Sequence, residues 1–142
     1  MDVSNTKSVN IERAWLQRVH TMRSRYGFEE CEDRLRDAVA AAGMRLFAEI
    51  DHGGNAADAG VKLRRAKVFI FGNPRAGSLL MQENIEVSYD LPLRIAIWEA
   101  DDGNGTMVAY RTPGEIAEEH GVTHPVVAKM DENFAKVLGG IS

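Results

Sequence analysis

Cysteine is almost absent from this chain, with Cys31 the single thiol among 142 residues. An internal disulfide is impossible and a thiolate-only zinc site is excluded, so secreted disulfide scaffolds drop out and the reducing cytoplasm is the expected compartment. Aromatic residues are scarce at 7%. Long hydrophobic runs are missing as well. Nothing approaches the roughly 18 to 20 apolar residues of a membrane span, and Met1 to Asn10 is polar, without the hydrophobic stretch of a signal peptide. Positive charge is not in excess: 17 Lys and Arg against 21 Asp and Glu give a net charge of −4. Neither nucleic acid nor a membrane is therefore an expected partner. What is present, 44% apolar residues in a chain too short for two cores, predicts one soluble domain.

The hydrophobic period changes along the chain. Residues 1–13 read as a polar N-terminal arm and residues 14–142 as the domain. Ile11, Trp15, Val19 and Met22 fall at helical spacing, whereas Ala14, Leu16 and Met22 can share one face of a strand. Phe28, Cys31, Leu35, Ala38, Val39 and Ala42 form a helical stripe, with acids at its start and Gly43 as its stop. Met44, Leu46, Ala48 and Ile50 then alternate as a half-buried strand ending near His52. Gly53 to Gly60 makes a loop or short helix. Lys67 to Phe71 reads as a strand buried on both faces, closed by Gly72-Asn73-Pro74. A short helix over Arg75 to Glu83 buries Ala76, Leu79 and Leu80. Leu93, Ile95 and Ile97 alternate as a strand, and Asp101 to Gly105 carries the turn residues of an antiparallel hairpin into Thr106 to Arg111. Thr112-Pro113-Gly114-Glu115 is a capping box with proline at the first helical position. A last helix after Pro125 presents Val126, Val127, Met130, Phe134, Val137 and Leu138 on one side.

Three segments in order, Ile50-Asp51-His52, Phe71 to Ser78 with Leu80-Met81-Gln82, and Asp90-Leu91-Pro92-Leu93, resemble the successive signatures of domain of unknown function family 302. The resemblance runs from about Ala14 to Leu138. It departs from the family pattern at Ser78-Leu79, where a Thr-Pro pair is common, and in the arm before Ala14. It implies a single α+β domain, β-α-β followed by further strands in a mainly antiparallel sheet with helices packed on one face. Ala14 to Met22 would then be the first strand, and members of the family are often dimers. No activity comes with the resemblance.

Several residues carry candidate chemistry. Asp51 and His52 stand at a strand end, where an imidazole beside a carboxylate suits a general base or ligand contact; the alternative is that Asp51 caps the following turn. Phe71 to Met81 is strand, turn and helix start, a geometry in which backbone amides at Gly77 and Ser78 can hold an anion beside Arg75. It lacks the lysine ending of a phosphate-binding loop and the three glycines of a dinucleotide fingerprint. The alternative is that Asn73-Pro74 fixes the turn and Gly77 lets the helix pack closely on the sheet. Lys62, Arg64, Arg65, Lys67 and Arg75 form a basic run that reads as a solvated loop. His52 and Met81 are ligand types for copper or haem but too few for a site, so no metal site is expected and no cofactor is identified. Cys31 reads as a packing residue, His20 and His120 stand in unrelated contexts, and His124 opens the last helix.

The expected function is a dimeric binding module for a small anionic ligand, contacted by His52, Asn73, Arg75, Gly77, Ser78, Met81 and Asp90. A hydrolase or isomerase using His52 with Asp51 or Asp90 is the first alternative, and a structural or interaction domain without a ligand is the second.

Overall fold

The computed structural model, which describes residues 19–142, turns the alternation of helical and extended periods into an α+β fold built on one five-stranded sheet. In chain order the elements are β1 (His20–Ser24), α1 (Phe28–Ala41), β2 (Arg45–Asp51), α2 (His52–Asp58), β3 (Ala66–Gly72), α3 (Pro74–Glu83) and a 3-10 turn (Ile85–Tyr89). β4 (Leu93–Glu99), β5 (Thr106–Tyr110), α4 (Pro113–Glu119) and α5 (Val126–Ile141) complete the described residues. The strand order is β1-β5-β4-β3-β2, with every neighbouring pair antiparallel. The two edge strands therefore run parallel to each other and are joined by α1. That helix has 14 residues, about 21 Å of length, enough to run back along the strands so that β2 can start parallel to β1.

Local chemistry accounts for the element ends. Glu29 and Glu30 occupy the first turn of α1, where negative charge is favourable, and Gly43 leaves the helix with φ 74°, a conformation that glycine adopts without a Cβ clash. The Thr112–Glu115 capping box forms with Pro113 behind the cap. The β4–β5 hairpin has the expected register, with Ala96 opposite Ala109 and Ile97 opposite Val108. Gly105 is required at its close: a Cβ there would lie 2.5 Å from the Ser24 carbonyl oxygen.

One face of the sheet makes the core. Phe69, Phe71, Ile95, Ile97 and Val108 pack against Phe28, Cys31, Leu35 and Val39 of α1 and Phe134, Val137 and Ile141 of α5. Phe134 stacks on Phe71 at 6.0 Å and tilts against Tyr110 at 5.7 Å. Burial pushes the Cys31 thiol up, partly offset by its hydrogen bond with Ser24, as suits a packing residue.

The structure corrects the expected bounds of the first strand and the expected exposure of β3 and β2. The arm at residues 1–13, and residues 14–18 of the expected first strand, fall outside the described residues; the strand itself runs from His20 to Ser24, so it extends past Met22. β3 is covered on one face only, with Phe69 and Phe71 buried and Val68 and Ile70 half-buried. In β2 a register shift between Leu46 and Ala48 breaks the alternation. Leu46 faces the core and Ile50 is exposed, while Glu49 takes two hydrogen bonds from Arg36 of α1 at 2.7 and 2.8 Å. Of the two alternatives for Gly53 to Gly60, the short helix is the one formed: α2 covers His52–Asp58 and a turn at Ala59 and Gly60 follows it.

Candidate functional site

The turn from β3 into α3 is organised by Asn73. Its side-chain oxygen accepts from the amides of Arg75 at 2.9 Å and Ala76 at 3.2 Å, Pro74 has no N–H to offer, and the Gly77 amide donates to the Asn73 carbonyl at 3.0 Å. The first-turn amides that favour an anion are thus already engaged, and the Gly77 amide does not form part of an open cradle. Asn73→Ala is expected to lower stability by about 1 kcal/mol, the usual effect of losing an N-cap; an unchanged urea midpoint would show that the cap contributes nothing.

Beside this turn lies a cleft of about 220 Å³. Asn73, Gly77, Ser78 and Met81 line it together, with Phe47 of β2, Leu91, Pro92 and Leu93 ahead of and in β4, and Met130 of α5. Its wall is mainly apolar and includes no carboxylate. A Cβ on Gly77 would meet Leu91 Cδ1 at 3.7 Å and Met81 Cε at 3.8 Å. Those are ordinary contacts, so glycine here opens the cleft and is not required for close helix–sheet packing. Arg75 is exposed beside the cleft, outside its lining, and has no ion pair among the described residues.

The other expected site residues stand elsewhere. Asp51 caps α2, accepting from the Gly54 amide at 2.9 Å, and His52 is the exposed first residue of that helix. Asp90 does not pair with His52. Its two carboxylate oxygens meet Arg111 at 2.8 Å and His120 Nε2 at 2.7 Å, and Arg111 also binds Glu119 at 2.9 Å. Burial pushes the Asp90 carboxyl up, but the hydrogen bonds from His120 and Arg111 and the charge of Arg111 outweigh it, leaving it below the ordinary aspartate value. Asp90 instead borders a second cleft of about 460 Å³, shared with Tyr89, Arg94, Ala96, Ala109 and Arg111. The partnership of Asp90 with Arg111 and His120 has no sequence signal, because the three residues come from separate parts of the chain.

The basic run is largely neutralised: Arg64 pairs with Asp101, Arg65 with Glu29 and Glu99, and Lys67 with Glu32 and Glu49. His124 accepts from the Val126 amide at 3.0 Å at the start of α5, and His20 meets Glu115 at 2.7 Å. Among the described residues no group of three or more His, Cys, Asp or Glu is placed to hold a metal ion, and no helix is long and apolar enough to cross a membrane.

Comparison with known proteins places the fold. The crystal structure of an uncharacterized conserved protein from Bacillus stearothermophilus superposes with a TM-score of 0.70 at 15% identity, covering 87% of this chain and 95% of that one. The chain is 36% identical over 101 residues to the fluoride-specific ion channel FluC 1 of Brucella suis biovar 1 (strain 1330). It is 36% identical over 101 residues to FluC 2 of Brucella melitensis biotype 1. These matches take in 70% of this chain but span only 39% and 37% of those proteins. The family described as "Domain of unknown function DUF302" matches residues 20–141, and the chain belongs to that family.

Proposed function

We propose that this protein is a dimeric cytoplasmic module that binds a small organic anion with an apolar body in the cleft beside α3, with Arg75 answering its charge. The observation that supports this reading is the convergence of Asn73, Gly77, Ser78 and Met81 on one apolar cleft next to an arginine without an ion pair among the described residues. Apolar walls with few polar groups are typical of small-molecule sites, and a volume below the usual range favours a compact ligand. His52 and Asp90 take no part in this reading, and a hydrolase or isomerase built on His52 with Asp90 finds no support because Asp90 is bound to Arg111 and His120. For the dimer, α5 offers no apolar contact at Met130, Phe134, Val137 and Ile141, which are buried inside the protomer. The β2 edge is the better candidate, since Phe47 and Ile50 stand 44% and 38% exposed there.

Native mass spectrometry of freshly purified protein tests both halves. A species at twice 15.7 kDa carrying an anion that denaturation releases is the expected result. Arg75→Ala should weaken retention by about tenfold or more, the loss of a charge-assisted hydrogen bond, and Gly77→Leu should abolish it by filling the cleft. A monomer alone sinks the dimer, and retention unaffected by both substitutions sinks the site.

A further inference from the structure

The face of the sheet turned away from the helices is a second apolar surface. Val68, Ile70, Ala96, Trp98, Met107 and Ala109 alternate with the buried strand residues, are half-buried, and none belongs to the core cluster. Ala96 and Ala109 lie directly opposite each other on β4 and β5, so two methyl side chains sit abreast where Trp98 and Met107, the next pair along the same face, are large. The result is a trough, and the cleft of about 460 Å³ opens at its end.

Charge at that end is unbalanced. Arg94 lies one alternation from Ala96 on the same face, is exposed, and has no ion pair among the described residues. Its neighbour Arg111 is answered by Asp90 and Glu119, and the remaining Asp90 oxygen is engaged by His120. Asp90 therefore does not neutralise Arg94. The charged residues on the strand positions of this face are Arg23, Arg45 and Arg94; Arg23, at the far end beside Met107, is paired with Asp102, which leaves Arg94 as the cation at the cleft. Tyr89, 86% exposed, stands at the mouth with its ring free to cover an apolar tail.

We propose that this trough is a binding site for a medium-length aliphatic monocarboxylate, its carboxylate on the Arg94 guanidinium and its chain laid along Ala96 and Ala109. A fork of guanidinium donors suits a carboxylate, and the paired alanines leave room for methylene groups that would otherwise remain in water. This site is separate from the cleft beside α3 and does not depend on it.

Titration of isotope-labelled protein with octanoate, followed by amide chemical shifts, tests the assignment. Saturable shifts at Arg94, Ala96 and Ala109 are expected. Arg94→Gln should weaken octanoate by about tenfold, and Ala109→Leu should remove saturable binding by filling the trough. Octan-1-ol, lacking the charge, and acetate, lacking the tail, should each bind about tenfold more weakly than octanoate. Arg75→Ala should leave octanoate binding unchanged. Because Arg94 is exposed, its glutamine variant keeps the fold and decides the matter even if Ala109→Leu does not. Octanoate binding that survives Arg94→Gln, equal binding of octan-1-ol, or shifts that map to Gly77 and Met81 and vanish in Arg75→Ala would each overturn the proposal.

Discussion

Asp90→Ala is expected to lower stability at neutral pH by about 3 kcal/mol, the range for breaking a buried ion pair. The side chains of Asp90 and Arg111 are only 12% and 10% exposed, so water entering from the neighbouring cleft replaces the lost carboxylate only in part, and His120 loses its partner as well. Glu119, still bound to Arg111, keeps the effect at the lower end. The pH dependence has a definite sign. The folded carboxyl titrates below its ordinary value, so its contribution is present in full above the unfolded-state pKa, near 4, and fades as pH falls through the lower folded value. Urea unfolding at pH 7 should therefore show a wide gap between wild type and variant, and unfolding at pH 3 a narrower one. An equal gap at both values would mean that the ion pair is not the source of the loss.

Phe134→Ala should be costlier still, about 3 to 5 kcal/mol as for other buried phenylalanines, with a melting temperature lower by on the order of 10 °C. Its ring is buried between Phe71 of β3 and Tyr110 of β5, and no neighbouring side chain can fill the void without abandoning its own packing. The substitution also loosens α5, which supplies Met130 to the cleft beside α3. Calorimetry on the variant checks the stability, and a loss under 1 kcal/mol would show that the α5–sheet layer is not the main core.

Much of this architecture was legible because it rests on local chemistry. α1 and α5 carry stripes long enough to leave no doubt about period, Thr112 to Glu115 caps α4, and the glycines at 103 and 105 place the hairpin. Illegible features depend on contacts between distant segments. The bulge in β2 involves Leu46, Phe47 and Ala48, none of which marks a bulge by residue type, and it sends Glu49 rather than Ile50 toward Arg36. The run Val68-Phe69-Ile70-Phe71 is apolar throughout, so only the placement of the helices shows which alternate residues are covered. At the cleft the same division holds. Asn73, Gly77, Ser78 and Met81 belong to one strand-turn-helix unit and converge as expected, whereas Phe47, Leu91 and Met130 reach the cleft only through tertiary folding. Asp90 reads from the sequence as a ligand contact or as the acid partner of His52, but its partners Arg111 and His120 lie at the ends of β5 and α4.

The arrangement of the edges also bears on how the chain assembles. β3, β4 and β5 follow one another in sequence and pair with close neighbours, as Ile95 does with Tyr110. β1 must wait for β5, joining His20 to Tyr110 across most of the chain. Closing so long a loop carries the larger entropic penalty, and contacts of this reach slow folding. The sheet is therefore expected to grow outward from its middle, with β1, which leaves the ribosome before the other four strands, among the last to pair.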